Sequence, residues 1–234
     1  MFPYAMRSLK FAIIAIWIFE TSCLGCLMGG LYHMPVETEV NPVLLLHGLK
    51  DDARKMEPMA AYLRRQGRVV DTISLTPSWG QKGLEVLAED LAEFIQSRYS
   101  TGQKIDLVAF SMGGLVARYY LQRLGGLERV DRLVTISTPH HGTFLAYFLG
   151  NSGGRQMRFQ SEFLRDLARD AVRLKTISFT SLWTPLDAII LPARSSIMAE
   201  ADNQKMIVVA HPLMVRQRGC LEAVQRALNR RVDR

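Results

Sequence analysis

Cysteine is nearly absent from this chain. Only Cys23, Cys26 and Cys220 occur, so a body with a single thiol has no internal disulfide, and no C-x-x-C pair lies near a histidine cluster that could complete a metal site. Internal repeats and low-complexity tracts are also missing, which excludes a repeat array. No nucleic-acid motif accompanies the net charge of +7. The Lys and Arg residues are spread along the chain, a distribution that suits anionic lipid or acidic substrates and argues against nucleic acid as a partner. A hydrophobic stretch long enough to cross a bilayer is lacking too: the unbroken run Phe11–Phe19 is too short by itself.

What is present is enough apolar material for one core. The chain has 234 residues, 48% hydrophobic and 22% charged, which points to one globular domain rather than two. Residues 1–34 stand apart. Arg7 and Lys10 precede the apolar run, and small residues follow it, the order of a secretory signal or membrane anchor. Export or membrane association through this segment is the expectation; translation starting at Met34 would give a cytoplasmic protein instead. The remaining residues, 35–234, form the expected folded domain.

From residue 42 onward, strand-like and helix-like units alternate. "PVLLLH", "RVVDTISL", "IDLVAF", "RLVTIS", "LKTISFTSL" and "KMIVVA" read as strands. "MEPMAAYLRRQG", "LEVLAEDLAEFIQSRY" and "GGLVARYYLQRLGG" read as helices, and a last helix carries Leu221, Val224 and Leu228. Near-continuous apolar strands alternating with helices imply an α/β fold with a mostly parallel central sheet and helices on both faces. Ligands of such sheets gather at the carboxyl ends of the strands. That edge should hold His47, Ser111, the Ser137–His141 segment, the loop from Leu182 to Asp187, and His211.

"IDLVAFSMGGLVARYY" runs a strand into a small hydroxyl residue and then into a helix. A sharp turn of this kind needs small residues two positions either side of the serine, and Ala109 and Gly113 supply them. A serine attacks a carbonyl only when a base takes its proton, a carboxylate orients that base, and N–H donors hold the oxyanion. The strand–turn–helix version orders its triad serine, acid, histidine. His33 and His47 precede Ser111, and His140 and His141 follow too soon to leave room for the acid. His211 remains. Asp187 follows a strand in the appropriate loop, whereas Glu200 and Asp202 fall at the amino end of the final strand. The oxyanion donors are expected to be the N–H groups of Met112, at a helix N-terminus, and of Leu49, which Gly48 lets approach closely.

"NPVLLLHG", "DLVAFSMGGLVARYY", "TISTPHHGT", "SLWTPLDAII" and "AHPLM", in that order from about residue 41 to the C-terminus, resemble the small bacterial lipases and esterases of the α/β-hydrolase superfamily. The resemblance implies an α/β-hydrolase fold with a short cap region after the family's sixth strand, residues 142–174 being the cap or lid candidate. It implies Ser111 as nucleophile, Asp187 as acid, His211 as base and Leu49 and Met112 as the oxyanion hole, with no cofactor and no metal. Phe110 stands where these lipases usually carry histidine, and "LKDD" follows His47–Gly48 where a glycine-rich segment is common.

The expected activity is serine-dependent hydrolysis of lipid or other apolar carboxylic esters through an acyl-enzyme. Acyl transfer or thioester cleavage could use the same triad, and a catalytically silent binding module is the non-enzyme alternative. Within the cap candidate, "SEFLRDLARDAVRL" places Phe163, Leu164, Leu167, Ala171 and Val172 on one helical face with Arg165, Arg169 and Arg173 around the other. Such a basic amphipathic helix either lies on an anionic membrane surface or packs on the body.

Overall fold

The computed structural model describes residues 40–232; the expected signal or anchor, with Cys23, Cys26 and His33, lies outside them. Among the described residues no helix is long and apolar enough to cross a membrane.

Six strands form one sheet: β1 (Val43–Leu46), β2 (Val70–Ile73), β3 (Ile105–Phe110), β4 (Val130–Ile136), β5 (Ser178–Trp183) and β6 (Asp202–Lys205). Their spatial order is β2-β1-β3-β4-β5-β6, and every neighbouring pair is parallel. The order reverses at β1, so the crevice between the carboxyl ends of β1 and β3 is the topological switch point where open α/β sheets bind ligands.

The alternation of side chains along β1 and β3 divides the core in two. Leu44, Leu46, Leu107 and Ala109 pack against α2 (Leu84–Arg98), α3 (Met112–Arg123) and the apolar face of α5 (Glu162–Arg169). Val43, Leu45, Val108 and Phe110 point the other way, toward α1 (Glu57–Arg65) and α6 (Arg218–Leu228). Each fully buried Leu or Val contributes about 1.5–3 kcal/mol of transfer free energy. The central strands therefore read as unbroken apolar runs because helices cover both faces.

Two expectations are corrected. The last strand is Asp202–Lys205, not "KMIVVA": it is an edge strand, mostly exposed, so polar residues can occupy it. The apolar run beyond it leaves the sheet after Met206 N–H donates to Trp183 O; Val208 is buried, yet Val209 is 73% exposed. The second correction concerns residues 142–174, which join β4 to β5 as two short 3-10 turns, α4 (Ser152–Gln156) and α5. The continuous helix expected over "SEFLRDLARDAVRL" stops at Arg169, and Val172 is 63% exposed.

The apolar face of α5 is turned inward: Phe163, Leu164 and Leu167 belong to the core. Its end is clamped by α3, where Arg118 and Gln122 both donate to Leu167 O, at 3.0 and 2.8 Å, and Arg123 pairs with Asp166 and Asp170. This helix packs on the body, and its apolar face is not available to a lipid surface.

At the opposite end of the sheet from the switch point, the Asp106 carboxylate is fully buried. Arg132 lies at 3.1 Å, Arg68 at 3.5 Å and Asn41 Nδ2 at 3.1 Å. Burial pushes its pKa up to about 6, against the opposing pull of Arg132, Asn41 and Arg68, so at neutral pH it is mostly charged and holds the two guanidinium groups. Replacing one member of a buried pair leaves the other charge uncompensated, at a cost of about 3–5 kcal/mol. Asp106→Leu is therefore expected to lose about that much at pH 7 in urea denaturation; a midpoint unchanged from wild type would refute this role.

Candidate active site

Ser111 sits between β3 and α3 with φ 53° and ψ −123°, a left-handed backbone that costs a non-glycine residue about 1–2 kcal/mol. The surroundings hold it there. Ser111 N–H donates to Ile136 O at 2.8 Å, Gly114 N–H returns to Ser111 O at 3.0 Å, and α3 begins at once. A Cβ on Gly113 would collide with the His47 carbonyl oxygen, and one on Gly48 would meet Ser111 Cβ at 3.0 Å and the Phe110 ring at 3.2 Å. Both glycines are thus required by the approach of the His47–Leu49 loop to the serine turn.

His47 shapes that loop. Leu75 N–H donates to its Nε2 at 2.8 Å, which leaves Nδ1 as the protonated nitrogen, donating to Gly48 O at 2.8 Å. Burial lowers its pKa, so it stays a neutral strut of the loop. Leu49 N–H, at the tip of the loop, donates no hydrogen bond among the described residues, and Met112 N–H opens α3, where a helix leaves its first amides without an intrahelical partner.

The acid and the imidazole come from neighbouring loops. Asp187 follows β5 and accepts from Ile189 and Ile190 N–H through Oδ1, each at 2.9 Å. Its Oδ2 lies 2.8 Å from His211 Nδ1. Thr184 Oγ1 donates to Val208 O at 2.9 Å, which ties the acid loop to the histidine loop although the intervening strand is shorter than expected. Burial pushes the Asp187 carboxyl upward, but the hydrogen bond and charge of His211 and the two amides outweigh it and hold it below the usual carboxylate range. It is therefore ionised at neutral pH, and an ionised acceptor holds the Nδ1 proton of His211 toward it.

The other candidates separate from this pair. Asp202 binds Arg230 at the sheet edge, and Glu200 is half-buried with its charge acting on Arg118. His140 is buried with Nε2 against Thr135 Oγ1 at 3.1 Å, and burial lowers its pKa well below the usual imidazole value. His141 Nε2 lies 3.0 Å from Ile197 O.

Ser111 and His211 line one cavity of about 410 Å³. Among the described residues no hydrogen bond joins the two side chains. Leu49, Phe110, Ala146, Leu149, Met157 and Ile190 supply much of the wall, so it is largely apolar. Phe110 is a functional neighbour whose role the sequence does not disclose: its ring centroid is 4.7 Å from that of His211, so it backs the imidazole. Phe148, which is 85% exposed, also lines this cavity; the cap candidate thus contributes its first turn and Met157 to the site, not its amphipathic helix.

A model of the family described as palmitoyl protein thioesterase matches residues 42–184, more than half of the 234 residues. The chain belongs to this family. The matched span includes Leu49, Ser111 and Met112 and ends before Asp187 and His211. Among solved structures, a Bacillus licheniformis lipase in mature form is similar at 18% identity and TM-score 0.68, over 82% of this chain and 93% of the lipase. An Aspergillus fumigatus lipase B gives 20% and 0.65, over 75% of this chain and 49% of that one. A bromoperoxidase from Bacillus anthracis gives 16% and 0.63, over 81% and 92%. These likenesses show the α/β-hydrolase fold.

A carboxyl whose folded pKa is depressed adds stability above its unfolded pKa and loses it as pH falls through the folded value. The stability gap between wild type and Asp187→Asn should therefore narrow as pH falls below the unfolded carboxyl value of about 4 in urea denaturation. A gap independent of pH would contradict the assigned hydrogen bond.

Proposed function

We propose that this protein is a serine hydrolase that cleaves apolar carboxylic esters through an acyl-enzyme. The observation that carries the reading is the Asp187–His211 bond at 2.8 Å, whose imidazole lines the same apolar cavity as Ser111. His211 Nε2 takes the proton of Ser111 Oγ as the oxygen attacks the acyl carbon, and the resulting imidazolium is stabilised by Asp187. The oxyanion is held by the N–H groups of Leu49 and Met112, with the N-terminus of α3 adding its dipole. Collapse breaks the bond to the leaving group, which takes the proton from His211. Water, deprotonated by the same imidazole, then releases the acid and regenerates Ser111. The serine–histidine contact has to tighten for the first step, as catalytic hydrogen bonds commonly do when substrate binds.

The family membership favours a second substrate for the same chemistry: an acyl thioester, whose sulfur leaves in place of the alcohol oxygen. Kinetics on a palmitoyl thioester peptide and its oxygen ester separate the two; a higher kcat/KM on the oxygen ester is expected. A fluorophosphonate probe should label wild type and not Ser111→Ala, and kcat of that variant should fall by on the order of a million-fold. Absence of both labelling and turnover in wild type would leave a binding module as the reading. Asp187→Asn, which presents an amide to Nδ1 and disfavours the required tautomer, should lower kcat by on the order of ten-thousand-fold. Leu49→Pro removes one oxyanion donor and should lower kcat by at least about a hundredfold; near-normal turnover would refute that assignment.

A further inference from the structure

Three ionisable residues stand in a row at one side of the cavity: Lys50, Asp51 and Lys55. Asp51 and Lys55 pair at 3.7 Å and offset one another. Lys50 is different. It is exposed, it forms no ion pair with a carboxylate among the described residues, and its ammonium lies 4.7 Å from the centroid of the Trp79 ring. Its backbone is left-handed, with φ 62°, a conformation that glycine or asparagine would adopt at lower cost than lysine. The turn is fixed by Lys50 N–H donating to Ser78 O at 2.8 Å.

Resting on the proposed hydrolase reading, we infer that Lys50 is a specificity-determining residue that recognises an anionic group on the leaving-group part of the substrate. The next residue back is Leu49, the proposed oxyanion donor, and Lys50 lines the same cavity as Ser111. Leu145, Ala146, Leu149, Met157, Ile189 and Ile190 form an apolar wall for the acyl chain. An ester with an apolar acyl group and a negatively charged alcohol or thiol portion satisfies both surfaces at once. The Trp79 ring lies against the ammonium without neutralising it, so the charge remains available to an incoming anion.

The test uses p-nitrophenyl butyrate, which is neutral, and 3-carboxy-4-nitrophenyl butyrate, which carries a carboxylate on the leaving group. The readout is the ratio of kcat/KM for the anionic over the neutral ester. Lys50→Gln should lower that ratio about fivefold at low salt, the size of a solvent-accessible ion pair, with the change in KM. Lys50→Arg should retain the wild-type ratio and Lys50→Glu lower it further, and about 0.5 M salt should compress the differences. Circular dichroism of each variant establishes folding, and retention by the arginine variant separates charge from a local structural effect.

A ratio that is the same in wild type and Lys50→Gln overturns the inference while hydrolysis of the neutral ester leaves the hydrolase reading intact. Equal losses on both esters also overturn it, since a positioning defect does not read charge. So does a variant whose only change is weaker sedimentation with phosphatidylglycerol vesicles, because the charge would then serve a bilayer and not the substrate. If wild type hydrolyses neither ester, both readings fall together.

Discussion

Everything at the switch point depends on how close two backbone segments come. The Ser111 turn and the His47–Leu49 loop follow adjacent parallel strands whose last residues are in register, Leu46 beside Ala109, so both chains emerge at the same height. They fit only because Gly48 and Gly113 have no side chain to place between them. The left-handed Ser111 backbone, which would relax in isolation, is held by a bond to β4 and by the immediate start of α3. Local strain is thus maintained by the sheet, and the result is a rigid turn that presents Ser111 to the cavity.

The acid and the imidazole are organised by a looser principle. They sit on the loops that follow β5 and β6, joined by one short charge-assisted bond and by the Thr184 clasp. Burial alone would favour a neutral carboxyl. Three donors around Asp187 reverse that preference, and the ionised state is the one that orients His211. Phe110 completes the arrangement from the other face, since the same ring that closes the second core cluster rests on the imidazole. Core and site therefore share a side chain, and a change at Phe110 would affect packing and imidazole orientation together.

Charge is distributed differently at the two ends of the sheet. At the amino ends of the strands Asp106, Arg68, Arg132 and Asn41 satisfy each other, which is a structural use of buried charge. At the carboxyl ends Ser111, His211 and Lys50 line the cavity, and among the described residues Lys50 has no carboxylate partner and Leu49 N–H donates no hydrogen bond. This asymmetry follows from the parallel sheet, which points every strand the same way and collects the loops that follow the strands at one edge.

The sequence by itself determined the parallel α/β architecture, the serine turn and the residues that the site brings together, because each is written in local pattern: unbroken apolar strands, small residues two positions from Ser111, and the order of the elements. It misplaced the last strand and extended one helix too far, since an edge strand need not be apolar and a helix stripe does not reveal where neighbouring arginines will clamp its end. Only tertiary structure decided that the amphipathic helix faces the core, that Phe110 rests on His211, and that Lys50 lines the cavity with no carboxylate partner among the described residues. Those outcomes are contacts between segments far apart in the chain, and no local pattern encodes which distant surface will be met.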